Sequence, residues 1–150
     1  MLIQRVIIMN IIKNVFCTTL FIAASTFSFN AIAEEDELTP YYGQCLENGD
    51  PIEWQATFGK CTADALAYWD KELNQNYKHL MKVAPTEDAK AQFKTAQRQW
   101  IKYRDEMVKA YAKDFGGQGE RLAATLEVKL TRDQANYLQE YAEIFENSEE

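Results

Sequence analysis

The chain has 150 residues, 47% of them apolar and 26% charged, with a formal net charge of −7. That length allows one domain or at most two, and the apolar and aromatic content is too high for a disordered chain. Three prolines and six glycines are too few for a turn-rich β-sandwich or a collagen-like chain. The acidic balance argues against nucleic acid as the main partner, because that role needs a basic face.

Residues 1–33 contain no acidic residue and only two basic ones, Arg5 and Lys13. From Asn14 to Ala33 there is no charge, and the run from Val15 to Phe27 has about the length of a signal-peptide apolar core, ~7–15 residues. Ala31 and Ala33 supply the small side chains that a signal peptidase requires before Glu34. Six hydroxyl and amide side chains, from Thr18 to Asn30, weaken the segment as a bilayer span. The expectation is a cleaved signal over 1–33, with Met1 or Met9 as the start. The protein would then be periplasmic or secreted, with no stable membrane span after cleavage. Phe16 before Cys17 argues against a lipoprotein site. Cleavage would leave 14 basic and 23 acidic groups, a net charge of −9. It would also leave two cysteines, Cys45 and Cys61, which in an exported protein most simply form one disulfide.

Residues 34–40 read as an acidic leader. Turn formers crowd the next stretch, with Asn48-Gly49-Asp50-Pro51 as the strongest turn signal. Trp54 and Phe58 suggest a short helical segment leading into Cys61. Leu66, Trp69, Leu73, Tyr77, Leu80 and Ala84 recur at helical spacing and predict a first long helix over about 62–83, stopped by Pro85. Thr86 suits an N-cap, with Glu87 and Asp88 favourable in the first turn. The second helix is expected over about 87–114, with a stripe of Ala89, Phe93, Ala96, Trp100, Tyr103, Met107 and Ala110. Gly116-Gly117 ends it. The third segment, about 119–146, carries Ala123, Leu126, Leu130, Tyr137, Tyr141 and Ile144. A possible capping box, Thr131-x-x-Gln134, leaves open whether it is one helix or two. Residues 147–150 read as an acidic tail. The expected fold is all-α, an antiparallel bundle of three to four helices over 41–146, with a disulfide-stapled N-terminal segment.

Two further groups stand out. A helical hairpin about Pro85 would bring Asp70 and Asn74 opposite Arg104 and Gln97, a polar layer that fixes helix register. Lys90, Lys94, Arg98 and Lys102 recur every fourth residue on the second helix. Most aromatic residues fall on the apolar stripes, but Tyr41, Tyr42 and Trp54 lie off them and are candidates for exposed contacts.

The series W-D-x-E-L-N-x-x-Y over 69–77, Q-R-x-W-I-x-Y-R-D over 97–105, then Gly116-Gly117 and Leu130-Thr131, resembles the lysozyme-inhibitor LprI-type N-terminal domain family. The resemblance covers about residues 42–145 and implies an exported, helical, cysteine-stapled domain that binds and inhibits lysozyme. Many members carry a second cysteine pair at positions that are Val108 and Leu126 here. Those two positions are equidistant from Gly117, so an apolar contact is expected in place of the bridge. Gln134 stands where the family often has arginine.

No catalytic residue, metal or cofactor is expected: His79 is the only histidine, and no H-E-x-x-H, G-x-S-x-G or Glu-x-x-His pattern occurs. The reading is therefore a binding protein that blocks the cleft of lysozyme, or of another basic protein, by shape and charge. The candidate contact residues are Glu47, Asn48, Asp50 and Glu53 in the stapled loop, with the Gly116–Glu120 connection as a second surface. The alternative is an envelope-interaction module that binds an anionic partner through the basic face of the second helix.

Overall fold

The computed structural model describes residues 38–148; the expected signal, its cleavage site and Glu34–Glu37 lie outside them. Four α-helices make up the described part: α1 (Tyr42–Glu47), α2 (Trp54–Val83), α3 (Glu87–Asp114) and α4 (Gly119–Ser148). A short 3-10 turn, Gly116–Gln118, joins α3 to α4.

Local chemistry sets the boundaries. Ala84, just before Pro85, leaves the helical region at ψ 128°, as the proline ring demands. The Thr86 hydroxyl accepts from the Ala89 N–H at 3.1 Å and caps α3, and Glu87 and Asp88 occupy its first turn. Gly116 takes the left-handed conformation, φ 59°, that turns the chain out of α3.

Two expected boundaries move. The segment holding Trp54 and Phe58 is not separate, because α2 runs unbroken from Trp54 through Cys61 to Val83. Cys61, Thr62 and Ala65 are buried, so packing holds a stretch that lacks a sequence stripe. The capping box at Thr131 is not used, and α4 is one helix. Thr131 is fully buried, and the Gln134 amide reaches across to α3 instead of back to its own backbone.

Consecutive long helices run antiparallel, so α2 and α4 run parallel. Asn76 Nδ2 donates to the Ala135 carbonyl at 2.9 Å, and His79 Nε2 meets Glu146 Oε1 at 2.8 Å near the C-terminal ends of both helices. The last helix is the central one, packing against α2 and α3, whereas α2 and α3 have the sparser backbone approach. The main core joins Leu73 and Leu80 of α2 to Ala135, Leu138 and Ala142 of α4, with Phe93 and Trp100 of α3 packed against it. A second cluster joins Leu38, Ala65 and Val128. Leu38 and Thr39, assigned from sequence to the leader, are therefore buried parts of the folded body. The Trp69 indole N–H donates to the Leu38 carbonyl and fixes this entry strand of chain.

The apolar stripes of α3 and α4 sit differently from the sequence expectation. Ala96, Tyr103 and Ala110 are exposed, and the buried residue of α3 is Gln97. On α4, Tyr137, Tyr141 and Ile144 are exposed, and Val128, Ala135, Leu138 and Ala142 are buried.

Candidate functional site

The bridge between Cys45 and Cys61 is formed, with the two Cα atoms 5.8 Å apart. It ties α1 to the second turn of α2 and closes the segment that carries the candidate residues. At the end of α1 the backbone N–H of Asn48 bonds the Gln44 carbonyl at 3.1 Å, and the Gly49 N–H bonds the Leu46 carbonyl at 3.2 Å. A Cβ on Gly49 would overlap the Thr57 side chain, so only glycine lets the loop close onto α2. Asp50 then builds the turn: its Oδ1 accepts from the Ile52 N–H at 2.8 Å, and its carbonyl accepts from the Thr57 hydroxyl at 3.4 Å.

Glu47, Asn48, Asp50 and Glu53 are all exposed on this loop. Between the acids stands Ile52, which is 91% exposed. Trp54 opens α2 with its ring 6.4 Å from that of Phe58, and it is 45% exposed. Across from them lie Gln118 of the connecting turn and Arg121, Leu122 and Thr125 of α4, which with Trp54 and Phe58 line an open groove of about 220 Å³. A neighbouring groove is lined by Gln55, Phe58 and Gly59 of α2 and Glu120, Arg121 and Ala124 of α4. The stapled loop and the Gly116–Glu120 connection, which sequence could name only as two separate surfaces, therefore meet at one end of the bundle. Phe115, exposed and stacked 5.0 Å from Tyr111, stands at the mouth of the same connection.

Chemically this end offers carboxylates and uncovered apolar side chains around shallow grooves. Those are the parts of a docking surface, with apolar anchors inside a polar rim. Sequence reasoning missed Ile52 and Leu122 and read Phe58 only as part of a short helical segment. The available signal was an isoleucine beside Pro51 in a stretch of turn formers, where burial has no periodic support.

The other predicted residues divide. Arg104 and Asp70 meet at 3.8 Å, and Arg104 also bonds Asp105 at 3.0 Å while its guanidinium lies 5.3 Å above the Trp100 ring. Asn74 and Gln97 do not form the expected pair. Asn74 is exposed and donates to the Asp70 carbonyl of its own helix at 2.7 Å. Gln97 Oε1 instead accepts from Gln134 Nε2 at 2.8 Å, because α4 and not α2 covers that face of α3. Tyr41 is exposed, as expected from its sequence position, but Tyr42 packs against the Leu38 cluster and its hydroxyl lies 3.3 Å from Thr62 Oγ1.

Among the described residues no group of three or more histidine, cysteine, aspartate or glutamate side chains is placed to hold a metal ion. No helix there is long and apolar enough to cross a membrane.

Against this geometry, the family model described as Lysozyme inhibitor LprI matches residues 45–138. The match begins at the bridged Cys45, takes in the loop and all of α2 and α3, and ends at Leu138 in the core of α4. No curated protein and no solved structure matches the chain.

Proposed function

The chain belongs to the LprI lysozyme-inhibitor family, and we propose that it is an exported inhibitor that blocks a lysozyme's cleft with the loop-bearing end of its bundle. The observation that carries this reading is the convergence of the disulfide-held loop and the α3–α4 connection on one surface, with Ile52 and Trp54 uncovered among Glu47, Asp50 and Glu53. A disulfide in the fold suits an oxidising compartment outside the cytoplasm, periplasmic or secreted.

The mechanism is occlusion. Lysozymes are typically basic proteins with acidic catalytic clefts, and an acidic partner is steered toward the basic surface around the cleft. The bridge, the Asp50 turn and the Gly49–Thr57 contact fix the loop before binding, which lowers the ordering cost of association. Ile52, the most exposed apolar side chain of the loop, enters the cleft first, with Trp54 packing behind it.

A turbidity assay of cell-wall lysis, run with lysozymes of several structural types, tests the proposal. The expected result is inhibition by the wild-type protein at near-stoichiometric ratios. Ile52→Ala with Trp54→Ala should abolish it, and Glu47→Lys with Glu53→Lys should weaken it mainly through slower association. Lysis that proceeds unchanged under a large excess of the protein, for every lysozyme type, removes the reading.

A further inference from the structure

The surface of α3 that faces away from the bundle has a different character from the loop-bearing end. Residues 89–104 contain no acidic residue and five basic ones, in a chain whose formal net charge is −7. Arg104 turns inward to Asp70 and Trp100, and Lys90 is engaged by Glu87 at 2.8 Å. Lys94, Arg98 and Lys102 are exposed, and among the described residues none of the three forms an ion pair. They stand one helical turn apart, which at ~1.5 Å rise per residue spaces them by about 6 Å along a straight line. Like charges at this spacing repel and weaken the helix. The nearest carboxylates on the helix, Asp105 and Glu106 just past Lys102, are held by Arg104 and Lys109.

The ground to one side of them is open and nearly flat. Ala91, Gln92, Thr95, Ala96 and Gln99 form an open, uncharged surface beside the ladder. Ile101 follows Arg98 by three residues, so it lies beside the ladder, and it is 40% exposed.

We propose that this face of α3 docks on an anionic phospholipid bilayer. A line of cations on a flat, unwalled surface suits a plane of phosphates better than a single small anion, which needs converging donors. Lys and Arg stems can lie along the interface while their heads reach the phosphates, and Ile101 can enter the headgroup zone. The ladder runs along the middle of α3, and the stapled loop sits beyond the C-terminal end of that helix, so both surfaces can be engaged together. This inference is independent of the inhibitor reading.

Co-sedimentation of the exported protein with vesicles tests it, using phosphatidylglycerol–phosphatidylcholine vesicles and pure phosphatidylcholine vesicles at low and physiological salt. The expected result is binding to the anionic vesicles that weakens with salt, and none to the zwitterionic ones. The K94Q/R98Q/K102Q variant, with all three changes on exposed positions, should bind about a hundredfold more weakly. A K71Q/K78Q/K82Q variant, which removes the same charge from exposed positions of α2, should bind nearly as wild type. Equal losses in the two variants would mean that net charge alone acts, and would overturn the proposal. Equal binding to both vesicle types, no sedimentation at low salt, or binding to soluble heparin without binding to vesicles would overturn it as well.

Discussion

Removing the bridge with Cys45→Ala and Cys61→Ala separates two ways in which the N-terminal segment could be held. The bridge links residues 16 apart, and chain-entropy arguments give about 3 kcal/mol for a loop of that size. That figure applies in full only if residues 38–53 unfold together with the long helices. The structure supports such coupling. Leu38 is buried against Ala65 and Val128, Trp69 bonds the Leu38 carbonyl, and Tyr42 reaches Thr62, so the segment is attached to α2 and α4 by contacts that do not depend on sulfur. With a urea dependence of roughly 1–3 kcal/mol per molar for a domain of this size, the unfolding midpoint should fall by about 1–3 M. The assay is urea unfolding followed by circular dichroism at a helical wavelength and by tryptophan fluorescence, on the variant and on wild type with and without reductant. The reduced wild type isolates the cross-link from the small packing loss at Cys61, so the two should fall together, with the variant slightly lower. An unchanged midpoint, with fluorescence alone shifting at low urea, would refute the reasoning. It would mean that the segment opens separately from the bundle and that the cross-link constrains nothing in the global transition.

Two further outcomes follow from the packing of α3. Arg104→Lys should lower stability by about 1–2 kcal/mol in the same urea assay, because an ammonium cannot keep the contact over the Trp100 ring while reaching both Asp70 and Asp105; a change within error would mean that the guanidinium acts only as a charge. Val108→Cys with Leu126→Cys should form a second disulfide in air-oxidised protein, detected as the loss of two thiols by mass spectrometry. Phe93 faces Tyr141 and Gln97 faces Gln134, and the same antiparallel register carried toward Gly117 sets Val108 opposite Leu126. Two persistent free thiols in the folded variant would show that the register does not continue.

Much of this architecture was legible in the order of residues. Pro85, the Thr86 cap, the acidic first turn of α3 and the glycine exit at Gly116 act over a few neighbouring atoms, so their effects do not depend on the rest of the fold. The pairing of Cys45 with Cys61 needed only counting, and the Asp70–Arg104 contact needed only the hairpin. The motifs at 69–77 and 97–105 were sufficient to point to the LprI family, and the family model now covers them.

Tertiary structure decided which faces became core. An apolar stripe points a helix toward one neighbour, but α4 has two, and it must offer a face to each. Toward α2 it offers Ala135 and Ala142, which are wholly buried because small side chains let two helices pack closely, while the larger Tyr141 lies at the edge of the face toward α3, half exposed beside Phe93. Hydropathy spacing cannot weigh that choice, since it scores transfer from water and not the shape of the gap to be filled. The same limit applies to Gln97, whose partner depends on which helix covers it. It applies also to the loop-bearing end, where a loop before α2 and a turn before α4 become one surface only because those two helices run parallel and begin side by side.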